Sequence, residues 1–343
     1  MFASGCRLVL ALFLLGLATA HAVPRTDFAQ ALREADAIRT SDTARFSALV
    51  LELKAADEGA SPADRHYLQL LEGYRLLAGG DLSKSVSVLN NLLRAEDLDV
   101  ALRVRASALL VNTYALSRDF TAGLKQIDYT ATLLDKVKDK AIRHQALLAA
   151  AILYNQVGQV GLGLRNAEAV RQDDPGGRFL CMAAQLETEA SQGLEKALPD
   201  EDYNEAINLC QSIGEPIMAN LTRSYLAKKW FSEGKPNVAI ALLEEHLGEV
   251  EATGYPYLIG EFNSLIARFR LAGGDVAQAE RHAHAAIEQG IGFPSTGPLV
   301  TAYRVLYSIA EMQDKPYDAL MYYKRYAEAD KIYLDEVKTR EMA

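Results

Sequence analysis

One punctuation mark recurs along this chain and restricts its folding more than any other feature. Short polar turn pairs fall at Gly80-Asp81, Arg118-Asp119, Gly158-Gln159, Gly234-Lys235, Gly274-Asp275 and Asp314-Lys315. Their spacings are 38, 40, 76, 40 and 40 residues, and 76 is twice 38. A period in the range of about 20–50 residues marks a repeat array, in which each unit buries its apolar face against its neighbours. The 343 residues therefore read as one array of about eight units rather than as two compact domains. The turn missing from the series falls near residues 199–203, where the connection is longer.

The rest of the pattern supplies helices between the turns. Five residues after each turn stands a small residue: Ser85, Gly123, Gly163, Ala239, Ala279 and Ala319, with Ala206 serving the fifth unit. Such residues let two helices approach closely. Unit boundaries carry a second signal at Gly214-Glu215-Pro216, Gly254-Tyr255-Pro256 and Gly292-Phe293-Pro294, and Asp174-Pro175-Gly176 does similar work one unit earlier. Glycine ends a helix in the left-handed conformation, and proline opens the next at its first position. Between signals the apolar residues follow the helical period, as at Leu70, Gly73, Tyr74 and Leu77, and at Leu226, Ala227 and Trp230. Ala and Leu, both helix formers, supply 102 residues, and no stretch alternates as a strand does. The fold class is all-α, and Trp230 is expected in its core.

Residues 1–22 have a different character. Arg7 precedes an apolar run over residues 8–18, and Ala20-His21-Ala22 offers small residues at −3 and −1. This is the layout of a secretory signal peptide, with cleavage expected after Ala22 and export to the periplasm or beyond. Cys6 precedes the apolar run, so it is not placed for lipid attachment. The run is about 11 residues against the roughly 20 of a spanning helix, and no other stretch could span a membrane. Residues 23–343 then form the repeat domain with net charge −10, from 35 basic and 45 acidic residues. That balance, without a basic tail, argues against a nucleic-acid partner.

The stretch 70–81, Leu-Leu-Glu-Gly-Tyr-Arg-Leu-Leu-Ala-Gly-Gly-Asp, resembles the first helix and turn of a tetratricopeptide repeat, as does the stretch 262–275 followed by Ala279, Ala283 and Ala286. The resemblance covers roughly residues 27–337. Its first unit, residues 27–60, is degenerate, with Phe46 at the small position, as in a terminal cap. The mean spacing of 39 exceeds the family's usual 34, so the helices are expected to be long. The resemblance implies a right-handed superhelical solenoid with a concave face for a protein or peptide partner. A secreted start, 38–40-residue repeats and the ending 319–343 look most like the periplasmic sensor region of bacterial diguanylate cyclases. Gly79-Gly80-Asp81 and Gly273-Gly274-Asp275 are repeat turns, not the catalytic motif of those enzymes. Two expectations stand together: a stand-alone scaffold, or the sensor part of a receptor whose membrane span and output domain are absent from these residues.

Carried over residue by residue, the family's groove-facing positions are Tyr74, Asn112, Asn155, Lys228, Arg268 and Arg304. The last three are basic and would form a locally positive stretch suited to a carboxylate. Leu109, Ala149 and Leu265 depart from the carboxylate clamp of chaperone-binding members. Cys181 and Cys210 fall on the two helices of unit five; a hairpin turning near residue 198 brings them near each other, as a disulfide or as two buried thiols. Tyr303, Tyr307, Tyr317, Tyr322, Tyr323, Tyr326 and Tyr333 are expected mostly in packing between repeats. From Pro316 the last helix runs about 26 residues, as a cap or as a dimerising helix.

No catalytic constellation emerges. The Ser, Walker, zinc-protease and Cys-x-x-Cys motifs are absent. His282 and His284, two apart on a helix, point apart and are expected to be solvated, so no metal site is assigned. Glu244-Glu245 and Glu249 with Glu251 are the only paired carboxylates resembling those of a helical glycosidase, and one tryptophan is few for a sugar cleft. The expectation is a non-enzyme without cofactor.

Overall fold

A computed structural model describes residues 25–39, 42–173, 176–193, 198–290 and 297–342. The signal-peptide segment, Cys6, Asp174-Pro175 and the Gly292-Phe293-Pro294 boundary lie outside the described residues. The described chain forms sixteen helices and no strand. They pair as α1 (Arg25–Ile38) with α2 (Thr43–Ala55), α3 (Pro62–Ala78) with α4 (Leu82–Leu93), α5 (Val100–Ser117) with α6 (Phe120–Leu134), and α7 (Lys140–Gln156) with α8 (Val160–Gln172). The series continues with α9 (Gly177–Ser191) and α10 (Asp200–Ser212), α11 (Pro216–Ser232) and α12 (Pro236–Ala252), α13 (Pro256–Ala272) and α14 (Val276–Gly290), and α15 (Gly297–Met312) and α16 (Pro316–Met342).

The first residue of every turn pair is left-handed: Gly80, Arg118, Gly158, Gly234, Gly274 and Asp314 have φ of 78°, 61°, 76°, 77°, 83° and 51°. That conformation reverses the chain between helices, and glycine adopts it without strain in four of the six turns. The aspartate that follows caps the next helix. Asp81, Asp119 and Asp275 accept from the backbone N–H of Lys84, Ala122 and Gln278 at 3.3, 3.1 and 3.3 Å. Pro216 and Pro256 open α11 and α13, each after a left-handed glycine.

Close approach within and between pairs depends on the small positions. Ser85 is fully buried, and its hydroxyl donates to the Gly73 carbonyl at 3.0 Å. A methyl group on Gly123 would stand 2.7 Å from Leu153 Cδ2, so only hydrogen fits there without movement. Each odd-numbered helix packs on its own partner and on the odd-numbered helices before and after it. The even-numbered helices do not stack on one another comparably. The odd-numbered helices therefore line the inside of the curve. The interior is a succession of adjoining small cores, such as one across α5 to α7 that holds Phe120 and Leu153, and one across α11 to α13 that holds Phe262 and Phe269. In the first pair, buried Phe46 packs with Phe28, Leu32 and Leu71.

Two sequence expectations need correction. Trp230 is half-buried, because its indole N–H reaches out to donate to Asp200 Oδ2 at 2.8 Å, joining α11 to the start of α10. His282 is buried rather than solvated, and its Nδ1 pairs with Asn263 Oδ1 at 2.8 Å. The tyrosines of the last pair divide: Tyr322 packs against the α14–α15 core, whereas Tyr317 and Tyr323 stay exposed with Met312, Leu320, Met321 and Ile332. No described helix covers that face of α16, which at 27 residues is the longest of the described helices.

Candidate functional site

The inner face divides into two parts. Over the first four pairs it is tied across by the chain's own side chains. Arg105 of α5 donates to both carboxylate oxygens of Asp36 of α1 at 2.8 Å, and the Tyr67 hydroxyl donates to Asp36 Oδ2 at 2.6 Å. Burial alone would raise the Asp36 carboxyl, but Arg105, Arg39 and Tyr67 together hold it below the usual range. Gln145 of α7 donates to the Tyr74 hydroxyl, and the Arg39 guanidinium lies 5.0 Å from the Tyr74 ring centre. Tyr74, expected in a groove, is thus already engaged on both its hydroxyl and its ring. Asn112 of α5 is half-buried, and its Oδ1 is enclosed without a hydrogen-bond partner.

From α7 to α15 the polar side chains form a row along successive inner helices. Asn155 of α7 donates to the Leu186 carbonyl at 3.1 Å and hydrogen bonds to the carboxylate of Glu189 on α9. Glu189 lies within electrostatic range of Lys228 on α11. Lys228 Nζ is 2.5 Å from Glu261 Oε1 on α13 and 5.3 Å from the centre of the Tyr225 ring. Glu261 acts in turn on Arg268, and Arg268 on exposed Arg304 of α15. The Arg268 guanidinium lies 5.2 and 5.0 Å from the rings of Phe231 and Phe269, and its Nε is enclosed without a partner. Burial lowers its pKa. The structure thus links Asn155, Lys228, Arg268 and Arg304, and leaves Tyr74 in the separate network. The row is not the uninterrupted positive stretch expected, because Glu261 neutralises Lys228.

Glu189 is the residue that sequence reasoning missed, and it stands 39 residues before Lys228, one mean period. Beside it are Tyr225 of α11 and Tyr255 and Tyr257 at the start of α13, all half-exposed. Burial raises the hydroxyls of all three, and the charge of Glu189 raises each further. Burial also pushes the Glu189 carboxyl up, opposed by the hydrogen bonds from Gln185 and Asn155 and the charge of Lys228. Arg118 of the α5–α6 turn acts electrostatically on Tyr257.

Other candidate groups have structural partners. Arg270 donates to both carboxylate oxygens of Glu244 at 2.7 and 2.8 Å, and Glu249 faces Arg223 and His246 at 3.4 Å. Cys181 and Cys210 are joined as a disulfide with Cα atoms 5.0 Å apart and both side chains fully buried. Among the described residues no group of His, Cys, Asp and Glu could hold a metal, and no helix is long and apolar enough to cross a membrane.

No family model and no curated protein matches the chain. Solved structures do. A Rap protein complexed with Competence and Sporulation Factor is 13% identical, over 91% of this chain and 100% of its own, with TM-score 0.64. A signal-transduction ATPase with a tetratricopeptide repeat sensor from Pyrococcus horikoshii is 15% identical over 92% of this chain, with TM-score 0.60. This chain spans 49% of that protein. A tetratricopeptide repeat protein from Parabacteroides merdae is 15% identical over 77% of this chain and 94% of its own, with TM-score 0.49. With sixteen paired helices and these neighbours, the chain has a tetratricopeptide-like, all-α solenoid fold.

Proposed function

We propose that this chain is an exported, non-catalytic scaffold that binds a peptide, or an extended segment of a protein partner, in the groove from α7 to α15. The observation that carries this reading is the row Asn155, Glu189, Lys228, Glu261, Arg268 and Arg304, which puts an amide and charges of both signs on successive inner helices. Backbone amides and charged side chains of an extended segment are the natural complement of such a row. Solenoids of this kind present extended concave surfaces. A neighbour of the same fold was solved with a bound factor, which supports the same use here. Export rests on the layout of residues 1–22, and N-terminal sequencing of secreted protein would begin at Val23.

The test is affinity selection from a mixed peptide library on immobilised residues 23–343, read by mass spectrometry, with Arg268→Glu alongside. Saturable retention that the variant loses supports the groove. Retention identical in the variant, with its helicity intact, refutes it.

A second reading is favoured by α16. Its length and the exposed Tyr317, Leu320, Met321, Tyr323 and Ile332 offer a surface to a second copy of the chain, as in a sensor region that passes a signal onward. Continuation of the reading frame past Ala343 into an apolar span of about 20 residues would support the receptor arrangement of the diguanylate-cyclase type.

A further inference from the structure

We infer that Glu189 receives a cationic group of the bound peptide, an N-terminal ammonium or a lysine or arginine side chain, in the tyrosine-walled section of the groove. This rests on the peptide-binding reading above and names the chemistry of its central subsite.

The other inner-face carboxylates already hold a cation. Glu261 is 2.5 Å from Lys228, and Asp36 has Arg105 at 2.8 Å. Among the described residues no cation reaches Glu189 at ion-pair distance; its partners are amides, Gln185 Nε2 at 3.4 Å and the side chain of Asn155. Amide donors orient a carboxylate without supplying charge. A desolvated carboxylate lacking a counter-ion is unfavourable, and a ligand cation relieves that cost. Lys228 does not take this role, because Glu261 holds its ammonium.

The walls suit the same occupant. Tyr225, Tyr255 and Tyr257 surround the carboxylate electrostatically, and the last two rings are 6.1 Å apart. Aromatic faces attract ammonium and guanidinium groups. The site shows this chemistry in its own side chains, since the Lys228 ammonium already lies 5.3 Å from the Tyr225 ring centre. Arg268 and Arg304 at the far end of the row repel a cation there. The field therefore orients the ligand, with its positive group at Glu189 and its carbonyl or carboxylate oxygens towards the arginines.

The experiment compares three hexapeptide libraries on wild-type residues 23–343 and on Glu189→Gln, with Glu187→Gln as control. One library has free N-termini, one is N-acetylated, and one is N-acetylated and lacks Lys and Arg. Gln keeps the size of Glu189 and one acceptor oxygen, and circular dichroism confirms that the variant folds. Wild type is expected to retain cation-bearing peptides and reject the third library, and Glu189→Gln to hold them about thirtyfold more weakly. Loss on acetylation assigns the ammonium, and retention of the acetylated Lys/Arg library assigns the side chain. Equal retention of all three libraries by both proteins overturns the inference and leaves peptide binding standing. Retention of none refutes peptide binding and this assignment with it.

Discussion

Helix α8 carries two glycines, two residues apart, whose replacement by alanine should act in opposite directions. Gly161 is exposed, and a methyl group there meets nothing within 4 Å. Gly163 is buried, and its methyl would stand 1.9 Å from Asn155 Oδ1 and 3.2 Å from the Ala151 carbonyl. Alanine in place of helical glycine stabilises by roughly 0.5–1 kcal/mol. For Gly161→Ala, in the first turn, the low end applies, about 0.5 kcal/mol. Gly163→Ala has the same gain, but the backbone carbonyl cannot withdraw, so the Asn155 amide must. That movement gives up the bond to Leu186, about 1 kcal/mol, and the bond to the Glu189 carboxylate, about 1.5–3 kcal/mol. The net change is about 2–3.5 kcal/mol of destabilisation. At roughly 2–4 °C per kcal/mol for a chain of a few hundred residues, the thermal midpoint should rise by about 1–2 °C in the first variant and fall by about 4–14 °C in the second. Differential scanning calorimetry reads both. The two changes Gly163→Ala and Asn155→Ala should combine to less than their sum, because the second removes the obstruction met by the first. A Gly163→Ala protein stabilised as much as Gly161→Ala would refute the close fit between α7 and α8.

Glu189→Gln should raise the unfolding midpoint at neutral pH while weakening ligand binding. The folded state keeps the Glu189 proton above the pH at which the unfolded chain releases it, so the group's contribution to stability falls as pH rises from about 4.5 through the raised folded value. The midpoint difference between variant and wild type should therefore grow across that window in melts taken from pH 4 upward; a constant difference would count against an elevated carboxyl. Replacing both Cys181 and Cys210 with Ala opens a loop of sequence separation 29 and should cost about 3–4 kcal/mol on the chain-entropy model. Urea titrations of the oxidised proteins check this, and two free thiols by mass spectrometry in unreduced wild type would remove its basis.

The architecture was legible because its signals are local. A glycine or aspartate at a turn, a capping aspartate and a proline at a helix start each act within four residues, so period and pairing follow from spacing alone. Arg118 fitted that spacing although its residue type did not demand a left-handed turn. The groove was half legible. Lys228, Arg268 and Arg304 recur in register, and the structure places them on successive inner helices. Glu189 keeps the same register but sits in the unit whose turn is irregular, and position transfer anchored on turns passed over it. Tyr74 shows the converse: its register gives its place, but its partners Gln145 and Arg39 come from other units, and no local pattern records them. The positive character expected of the row is interrupted at Lys228 for a similar reason, since Glu261 reaches Lys228 from the next unit. Trp230 and His282 were misjudged because one hydrogen-bond partner decides the placement of each.

The two hydrogen-bonded ties Arg105 to Asp36 and Gln145 to Tyr74 each skip a unit, and both lie within the first four helix pairs. In mechanical terms they brace one end of a spring. A coil whose turns are joined only to their neighbours bends at every joint, whereas a coil with crossed braces behaves as a rod. The first half is thus the braced part of the spring.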